Sequence, residues 1–328
     1  MTADGPVAMD LRPHPTGARE QRSEAGTESG PGEYVLRCGD YAAAVTVHGA
    51  ALRRLTHRGR DLVVPFPAGG PIPDYRGIIA APWPNRIADG AFRHDGQVLH
   101  LPVNEPKRNT ALHGLVHDVP WQAVEHDGDS LTLRCGLDPT QGYPFALDLR
   151  VHYRLDDGGL HTRVTAANVG ERTAPYGVCP HPYLLAGSSP LDEWVLQLPA
   201  DSFLAVTPDR LLPVDLQPVQ GHAFDYRSPR LLGGVEIDHA FTGIGWDRQG
   251  RAELMLRDPA GTGVGMRWDQ ACPWLQVHTA DKPAPLPSRL GLAVEPMTCP
   301  PDAFNSGTDV VRLTPGASHT AWWNIFAC

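Results

Sequence analysis

Residues 145–167 run FALDLRVHYRLDDGGLHTRVTAA, and apolar residues occupy every second position on both sides of an Asp/Gly loop. The apolar positions of the first half are Leu147, Leu149, Val151, Tyr153 and Leu155. Those of the second half are Leu160, Val164 and Ala166, with Thr162 on the same face. A period of two is typical of a half-buried strand. We therefore predict an antiparallel hairpin closed by a four-residue loop at Asp156–Gly159.

Outward from this hairpin the chain is cut into short pieces. It contains 34 Gly and 33 Pro, and its longest run without either is residues 145–157. A typical helix needs about 11 or 12 uninterrupted residues, so few segments can be helical. Further strands are predicted at Glu33–Cys38, Ala42–His48, Ala51–His57, Leu62–Pro65, Gln97–Leu101, Leu131–Cys135, Trp194–Leu198, Ser202–Val206, Ala252–Arg257, Gly263–Trp268, Trp274–Thr279 and Ala321–Phe326. We predict an all-β fold, a large antiparallel sandwich forming one domain over residues 33–328.

Composition restricts the class of partner. The 328-residue chain is 41% hydrophobic and carries a net charge of −9, which disfavours nucleic acid or an anionic membrane as the partner. No apolar stretch is long enough for a transmembrane helix, and residues 1–32 lack the apolar core of a secretory signal. We expect that segment to be disordered. Six cysteines without C-x-x-C spacing are expected to be free thiols, and we predict a cytoplasmic protein.

Two loop motifs offer polar groups in the first half of the chain. Asn85-Arg86 follows Pro82-Trp83-Pro84, which indicates a rigid turn that presents the hydrogen-bond donors of these two side chains. Alternatively, Arg86 forms an ion pair with a nearby acidic residue. His113 and His117 lie four residues apart, the spacing of a helical metal pair. Gly114 and Pro120 disfavour a helix there, so a single neutral histidine is the better interpretation.

Two further motifs place titratable groups in restricted surroundings. His181 stands between Pro180 and Pro182, which suits a proton-transfer group that needs fixed geometry, although a structural histidine is an equal alternative. Glu295 ends an apolar run before Pro296. It is either a candidate base or a surface residue at a strand end. Asp238 and Gln276 are weaker signals, since each lies beside apolar strand positions.

The order of these motifs is more specific than any one of them. From about residue 34 to the C-terminus, the chain resembles the aldose 1-epimerase (galactose mutarotase) family through Asn85-Arg86, His113-Gly114 and His181-Pro182-Tyr183. The resemblance implies an antiparallel β-supersandwich with a sugar site in a cleft. It also implies interconversion of the α and β anomers of a free aldose such as galactose or glucose, without a metal or organic cofactor.

The resemblance also implies roles. Glu295 would be the base, His181 the acid, and His113 a second imidazole near the ring oxygen that also contacts the sugar. The other substrate-binding residues would be Asn85, Arg86, Tyr183, Asp238 and Gln276. Leu184-Leu185 departs from the Phe-Asn that many members carry, and Gly77–Pro84 departs from the commoner lead into Asn-Arg. These departures put the accepted hydroxyl pattern in doubt, but not the reaction type.

Three alternatives stay open on the same scaffold. One is a non-catalytic carbohydrate-binding protein, which would lack the acid or the base. The second is a glycoside hydrolase or lyase using Asp238 and Glu295, since hydrolysis usually needs two carboxylates. The third is a phosphosugar mutarotase, which would need additional lysine or arginine in the cleft. We expect a monosaccharide as the partner, and a monomer or homodimer.

Overall fold

The computed structural model describes residues 28–30 and 32–328. The strands of the first half of this part are β1 (Glu28–Gly30), β2 (Glu33–Cys38), β3 (Tyr41–Thr46), β4 (Leu52–His57), β5 (Arg60–Asp61), β6 (Ile79–Ala80), β7 (Arg86–Ala88), β8 (Ala91–His94), β9 (Gln97–His100), β10 (Thr110–Leu112), β11 (Gln122–His126), β12 (Ser130–Leu137), β13 (Leu147–Asp156) and β14 (Gly159–Asn168). Short helical turns are few: Pro73–Tyr75 and Leu191–Glu193 are 3₁₀ turns, and Ala303–Ser306 is a single α-helical turn, α1.

The strands of the second half are β15 (Ala174–Tyr176), β16 (Cys179–Pro180), β17 (Tyr183–Leu184), β18 (Val195–Gln197), β19 (Ala200–Val206), β20 (Pro213–Pro218), β21 (Arg230–Leu231), β22 (Asp238–Ile244), β23 (Arg251–Arg257), β24 (Gly263–Asp269), β25 (Trp274–His278), β26 (Leu292–Met297), β27 (Val311–Leu313) and β28 (Ser318–Ala327). The frequent glycines and prolines explain why most of them are short.

Three large sheets organise these strands. A nine-stranded sheet has the order β11-β12-β13-β14-β28-β24-β23-β18-β21, and a six-stranded sheet has the order β17-β26-β25-β22-β19-β20. β1 to β5 form a third sheet in sequential order. The ladders are antiparallel throughout these three sheets. The predicted all-β, antiparallel supersandwich class is confirmed.

The predicted hairpin is present, but its loop is shorter than expected. β13 pairs with β14 from Leu147↔Asn168 to Asp156↔Gly159, so only Asp157 and Gly158 remain unpaired. Gly159 permits this because its φ is +108° and a Cβ there would lie 2.2 Å from the carbonyl oxygen of Ile325. The alternate residues of β13 are buried, which confirms the period of two.

The main core lies between the sheets. Val151 of the nine-stranded sheet, Val45 of the five-stranded sheet, and Leu275 and Val294 of the six-stranded sheet belong to one buried cluster. The five-stranded sheet is also tied to β13 by a hydrogen bond from the Tyr153 hydroxyl to the Ala50 carbonyl, 2.6 Å. This core fixes one face of the six-stranded sheet and leaves the other face for a cleft.

The predicted strand at Leu62–Pro65 is wrong. This segment leaves the five-stranded sheet after β5, and Val63 makes only an isolated bridge to Leu184. Val64 donates to the Tyr183 carbonyl at 2.8 Å, so the apolar run connects two sheets rather than extending one. Pro65 has no N–H with which to continue a ladder.

The predicted disordered segment, residues 1–32, lies largely outside the described residues. At its end, Glu28–Gly30 pairs with β2, so sheet pairing begins before residue 33. No helix in the described part of the chain is long and apolar enough to cross a membrane. All six cysteines are free thiols, and only Cys328 is exposed.

Candidate active site

One face of the six-stranded sheet brings together the polar residues of three strands. In the register of β22, β25 and β26, Gln276 lies opposite Glu295, and Asp238 lies opposite His278. Leu275 and Val277, the two neighbours of Gln276 on β25, point into the main core. Side chains alternate between the two faces of a sheet along each strand. The same alternation therefore directs all four polar side chains to the opposite face.

His181 joins this face from the β16–β17 connection. Its backbone N–H donates to the Ile78 carbonyl at 3.1 Å, and its carbonyl accepts from the N–H of Gly77 at 2.8 Å. Two flanking prolines restrict the backbone further. Tyr183 follows on β17 opposite Ala293, and its ring stacks on that of His181 with centroids 5.4 Å apart. His181 is therefore held from both sides.

Asn85-Arg86 and His113-Gly114 meet at the ends of a short ladder. β7 pairs with β10 so that Arg86 lies opposite Leu112, and His113 N–H donates to the Asn85 carbonyl at 2.9 Å. Asn85 and His113 both have left-handed backbones, with φ of +52° and +59°. A Cβ at Gly114 would lie 2.0 Å from the carbonyl oxygen of Ala81, so only glycine fits.

These elements enclose a cleft of about 200 Å³. One water molecule occupies about 30 Å³ in the liquid, so this volume corresponds to about seven water molecules, which is the size of one small ligand. All eight side chains proposed from sequence line it: Asn85, Arg86, His113, His181, Tyr183, Asp238, Gln276 and Glu295. Six further residues line it as well: Asp74, Tyr75, Glu105, Leu112, His278 and Lys282.

His181 and Glu295 form a buried imidazole–carboxyl pair. Nε2 of His181 lies 3.4 Å from Oε1 of Glu295, and the two residues are 5% and 2% exposed. Burial, aided by the nearby His278, lowers the pKa of His181 to about 3. Burial and the charge of Asp238 raise the pKa of Glu295 well above its ordinary value. Both groups are thus biased towards their neutral forms.

Cys179 holds the other oxygen of Glu295. Its buried thiol donates to Oε2 at 3.7 Å. Hydrogen bonding to the carboxyl opposes the effect of burial on the pKa of Glu295. The carboxyl group is therefore oriented by a thiol on one oxygen while its other oxygen faces His181.

Three buried polar atoms at the cleft have no hydrogen-bond partner within the described part of the chain: Nδ1 of His113, Nδ1 of His181 and Oε1 of Gln276. Buried polar groups are rarely left unpaired. The Gln276 amide is oriented by donation from Nε2 to Oδ1 of Asp238, 2.7 Å. These atoms are suited to a ligand that carries several hydroxyl groups.

Arg86 is positioned by two acceptors. Its Nε and Nη2 bond both oxygens of Glu105 at 2.8 and 3.1 Å, and Nη1 donates to Oδ1 of Asn85 at 3.3 Å. Glu105 also accepts from Thr110 and Arg108. Although burial raises the pKa of Glu105, these donors outweigh it and lower the pKa overall. The ion pair expected in the alternative interpretation of Arg86 is therefore present, and it lies inside the cleft.

A second ion cluster lines another part of the cleft. The Asp74 carboxylate accepts from Lys282 Nζ at 2.6 Å and from Arg76 Nη2 at 3.1 Å. Burial raises the pKa of Asp74, but the two cations outweigh it, and the pKa is lowered overall. The Tyr183 hydroxyl donates to the Asp74 carbonyl at 3.3 Å, which ties this cluster to the residue stacked on His181.

Sequence analysis missed Glu105, His278, Asp74 and Lys282. His278 lies in the segment already noted for Gln276, and strand periodicity places both on one face. Asp74 comes from the first 3₁₀ turn, and Glu105 and Lys282 come from loops; none of the three belongs to a sequence pattern. Among the described residues, one group could hold a metal ion: His113, His181 and Glu295, whose donor atoms lie within 4.8 Å of one another. The absence of a metal stays a prediction.

Comparisons with known proteins show the family to which the chain belongs. The aldose 1-epimerase family model matches residues 33–325. An uncharacterized Escherichia coli protein, YihR, is 38% identical over 296 residues, which span 89% of this chain and 92% of that protein. Human galactose mutarotase is 35% identical over 166 residues, 48% of this chain and 47% of the human protein.

The fold has solved counterparts. The crystal structure of an aldose epimerase homologue from C. elegans superposes with a TM-score of 0.80 at 20% identity, covering 90% of this chain and 98% of that one. This likeness concerns the fold alone. Because the family model spans nearly all of the described residues, the chain belongs to the aldose 1-epimerase family of isomerases.

Proposed function

We propose that this protein interconverts the α and β anomers of a free aldose, such as galactose or glucose, by acid/base ring opening. The observation that carries this proposal is the His181–Glu295 pair, with Nε2 and Oε1 3.4 Å apart in a cleft sized for one small ligand. Opening a cyclic hemiacetal requires removal of the C1 hydroxyl proton and delivery of a proton to the ring oxygen. Two adjacent proton-transfer groups meet that requirement.

The pair needs only one proton in total. Glu295 as carboxylate takes the C1 hydroxyl proton while protonated His181 gives its proton to the ring oxygen, and the C1–O5 bond breaks. The resulting aldehyde rotates about C1–C2. Ring closure on its other face then returns the proton from Glu295 to O1, while His181 takes back the proton from O5. No atom or charge is consumed, so the reaction is an isomerisation.

Burial of the pair favours the proton distribution that ring opening produces. After opening, Glu295 is protonated and His181 is neutral. The raised pKa of the carboxyl and the lowered pKa of the imidazole both stabilise that distribution. The same preference makes the neutral pair the resting form, so the proton moves from Glu295 to His181 before the sugar ring opens.

The remaining polar residues would hold the sugar. Arg86 is held rigid by Glu105 and Asn85, and Gln276 is oriented by Asp238. Nδ1 of His113 is buried and has no hydrogen-bond partner among the described residues, so it is available to a hydroxyl near the ring oxygen. We assign Tyr183 to the stacking contact that fixes the His181 ring beside the sugar.

Polarimetry tests the proposal. Freshly dissolved α-D-glucose and α-D-galactose should reach anomeric equilibrium faster with the protein than without it, in proportion to protein concentration. Release of reducing sugar from a panel of glycosides would instead support the glycoside-cleaving alternative. Binding of the sugars without faster equilibration would support a carbohydrate-binding protein.

A further inference from the structure

The charges around the cleft contrast with those of the whole chain. The protein carries a net charge of −9. Among the described residues that line the cleft or bond its carboxylates, four cations face three carboxylates; these are Arg76, Arg86, Arg108 and Lys282 against Asp74, Glu105 and Asp238. The fourth carboxyl group, Glu295, is biased to its neutral form. A local excess of positive charge in an acidic protein favours an anionic ligand.

Lys282 is the cation best suited to meet such a ligand. Of the 28 basic residues in the sequence, only Lys107 and Lys282 are lysines. The Lys282 side chain is 29% exposed and lines the cleft, while Arg76 is more buried at 13%. A lysine ammonium is a point charge with rotating donors on a flexible stem, so it can contact a new acceptor while Arg76 still balances Asp74.

Arg76 adds a second donor beside Lys282. Its Nε is buried and has no hydrogen-bond partner within the described residues. Its guanidinium lies over the Tyr183 ring, 5.6 Å from the centroid. Asp74 thus has two cations bonded to one carboxylate, which leaves this end of the cleft with one positive charge in excess.

The position of this cluster relates it to one part of an aldose ring. Tyr183 lies between the cluster and His181, because its ring stacks on His181 and its hydroxyl bonds Asp74. In the proposed reaction His181 contacts the ring oxygen. The ring oxygen is bonded to C5, which carries C6, so a sugar whose ring oxygen meets His181 can place its C6 substituent next to the cluster that Tyr183 links to His181.

We propose that the preferred substrate is an aldose with an acidic group at C6, a phosphate, sulfate or carboxylate group, which pairs with Lys282 and Arg76. This inference rests on the proposed anomer exchange and specifies its substrate class. A charged hydrogen bond contributes about 1.5–3 kcal/mol, which corresponds to a preference of about tenfold or more in kcat/KM over the matching neutral aldose.

The test compares matched sugars and matched lysine variants. Anomer exchange is measured by NMR for D-glucose, D-glucose 6-phosphate, D-glucose 6-sulfate and D-glucuronic acid. We expect higher kcat/KM for the acidic sugars. Lys282→Gln should reduce the ratio of kcat/KM for the acidic sugars to kcat/KM for D-glucose about tenfold. The control is Lys107→Gln, at the second lysine of the chain, which is exposed; it should leave this ratio unaltered.

The outcomes separate the two proposals. No accelerated exchange of any aldose would overturn anomer exchange itself. Exchange of D-glucose at least as fast as that of every acidic sugar, with a ratio unaffected by Lys282→Gln, would overturn the acidic substrate while anomer exchange stands. A preference confined to the phosphate would support recognition of a dianion, and an equal preference for all three would support recognition of a single charge.

Discussion

Nε2 of His181 lies 3.4 Å from Oε1 of Glu295, although the two residues are 114 positions apart in the sequence. Two prolines hold the backbone of the histidine, and the ladder of β25 and β26 holds the glutamate opposite Gln276. Because burial biases both groups to their neutral forms, we expect the pair to hold one proton in total over a wide pH range. The following predictions depend on this shared proton.

The pH profile should follow the proton count of the pair. Below the pKa of His181, lowered to about 3, the pair gains a second proton and Glu295 can accept none. Above the raised pKa of Glu295 the pair loses its last proton, and His181 can donate none. We expect kcat/KM, measured after subtraction of the uncatalysed rate, to fall at both limits. An acidic limb at the ordinary glutamate pKa of about 4.3 would contradict this assignment.

His181→Asn should lower kcat by about 10²–10⁴, the usual contribution of a positioned acid or base. Asparagine keeps a polar side chain but cannot supply a proton to the ring oxygen. The loss in the double variant with Glu295→Gln should be smaller than the product of the single losses, since the two groups act in one step. His48→Asn, at an exposed histidine paired with Asp118, is the matched control. Multiplicative losses would indicate that the two groups act in separate steps.

Glu105→Gln should weaken sugar binding through Arg86. The substitution keeps the side-chain size but removes the charge and replaces one acceptor of Arg86 with an amide donor. We expect KM to rise about tenfold or more, because hydrogen bonds to charged groups contribute about 1.5–3 kcal/mol, with a smaller change in kcat. Glu193→Gln, at an exposed glutamate, controls for loss of a carboxylate. A fall in kcat with KM unchanged would show that Glu105 does not act through substrate binding.

Chelation should leave the activity intact. His113, His181 and Glu295 are assigned here to proton transfer and sugar contact, so EDTA followed by gel filtration should not alter the rate of anomer exchange. The measurement is polarimetry on the treated and untreated protein. A rate that disappears on EDTA treatment and returns with zinc would assign this group to a metal instead.

Local patterns in the sequence were sufficient for much of the fold. The period of two in residues 147–155 identified β13, because one face of that strand is buried along its whole length. The same logic failed at Leu62–Pro65, where the apolar run is buried by crossing between two sheets and Val63 makes only a single bridge. An apolar run indicates that a segment is buried, but it does not indicate whether that segment is a strand or a connection between sheets.

The candidate site was accessible through motifs rather than through periodicity. Asn85-Arg86 and His181-Pro182-Tyr183 are local signals, and the structure brings them into one cleft. Glu105 and Lys282 carry no such signal, because each reaches the cleft from a loop whose position depends on the packing of distant strands. Their roles follow only from contacts with Arg86 and Asp74.

The most direct test of the acid/base account is the rate of anomer exchange in Glu295→Gln. Glutamine preserves the shape of the side chain and its place on β26, but it cannot accept the C1 hydroxyl proton. We predict a fall in kcat of about 10²–10⁴ relative to the wild type, with sugar binding measured by calorimetry largely retained. Wild-type kcat in a folded Glu295→Gln protein would contradict the account and remove Glu295 from the mechanism.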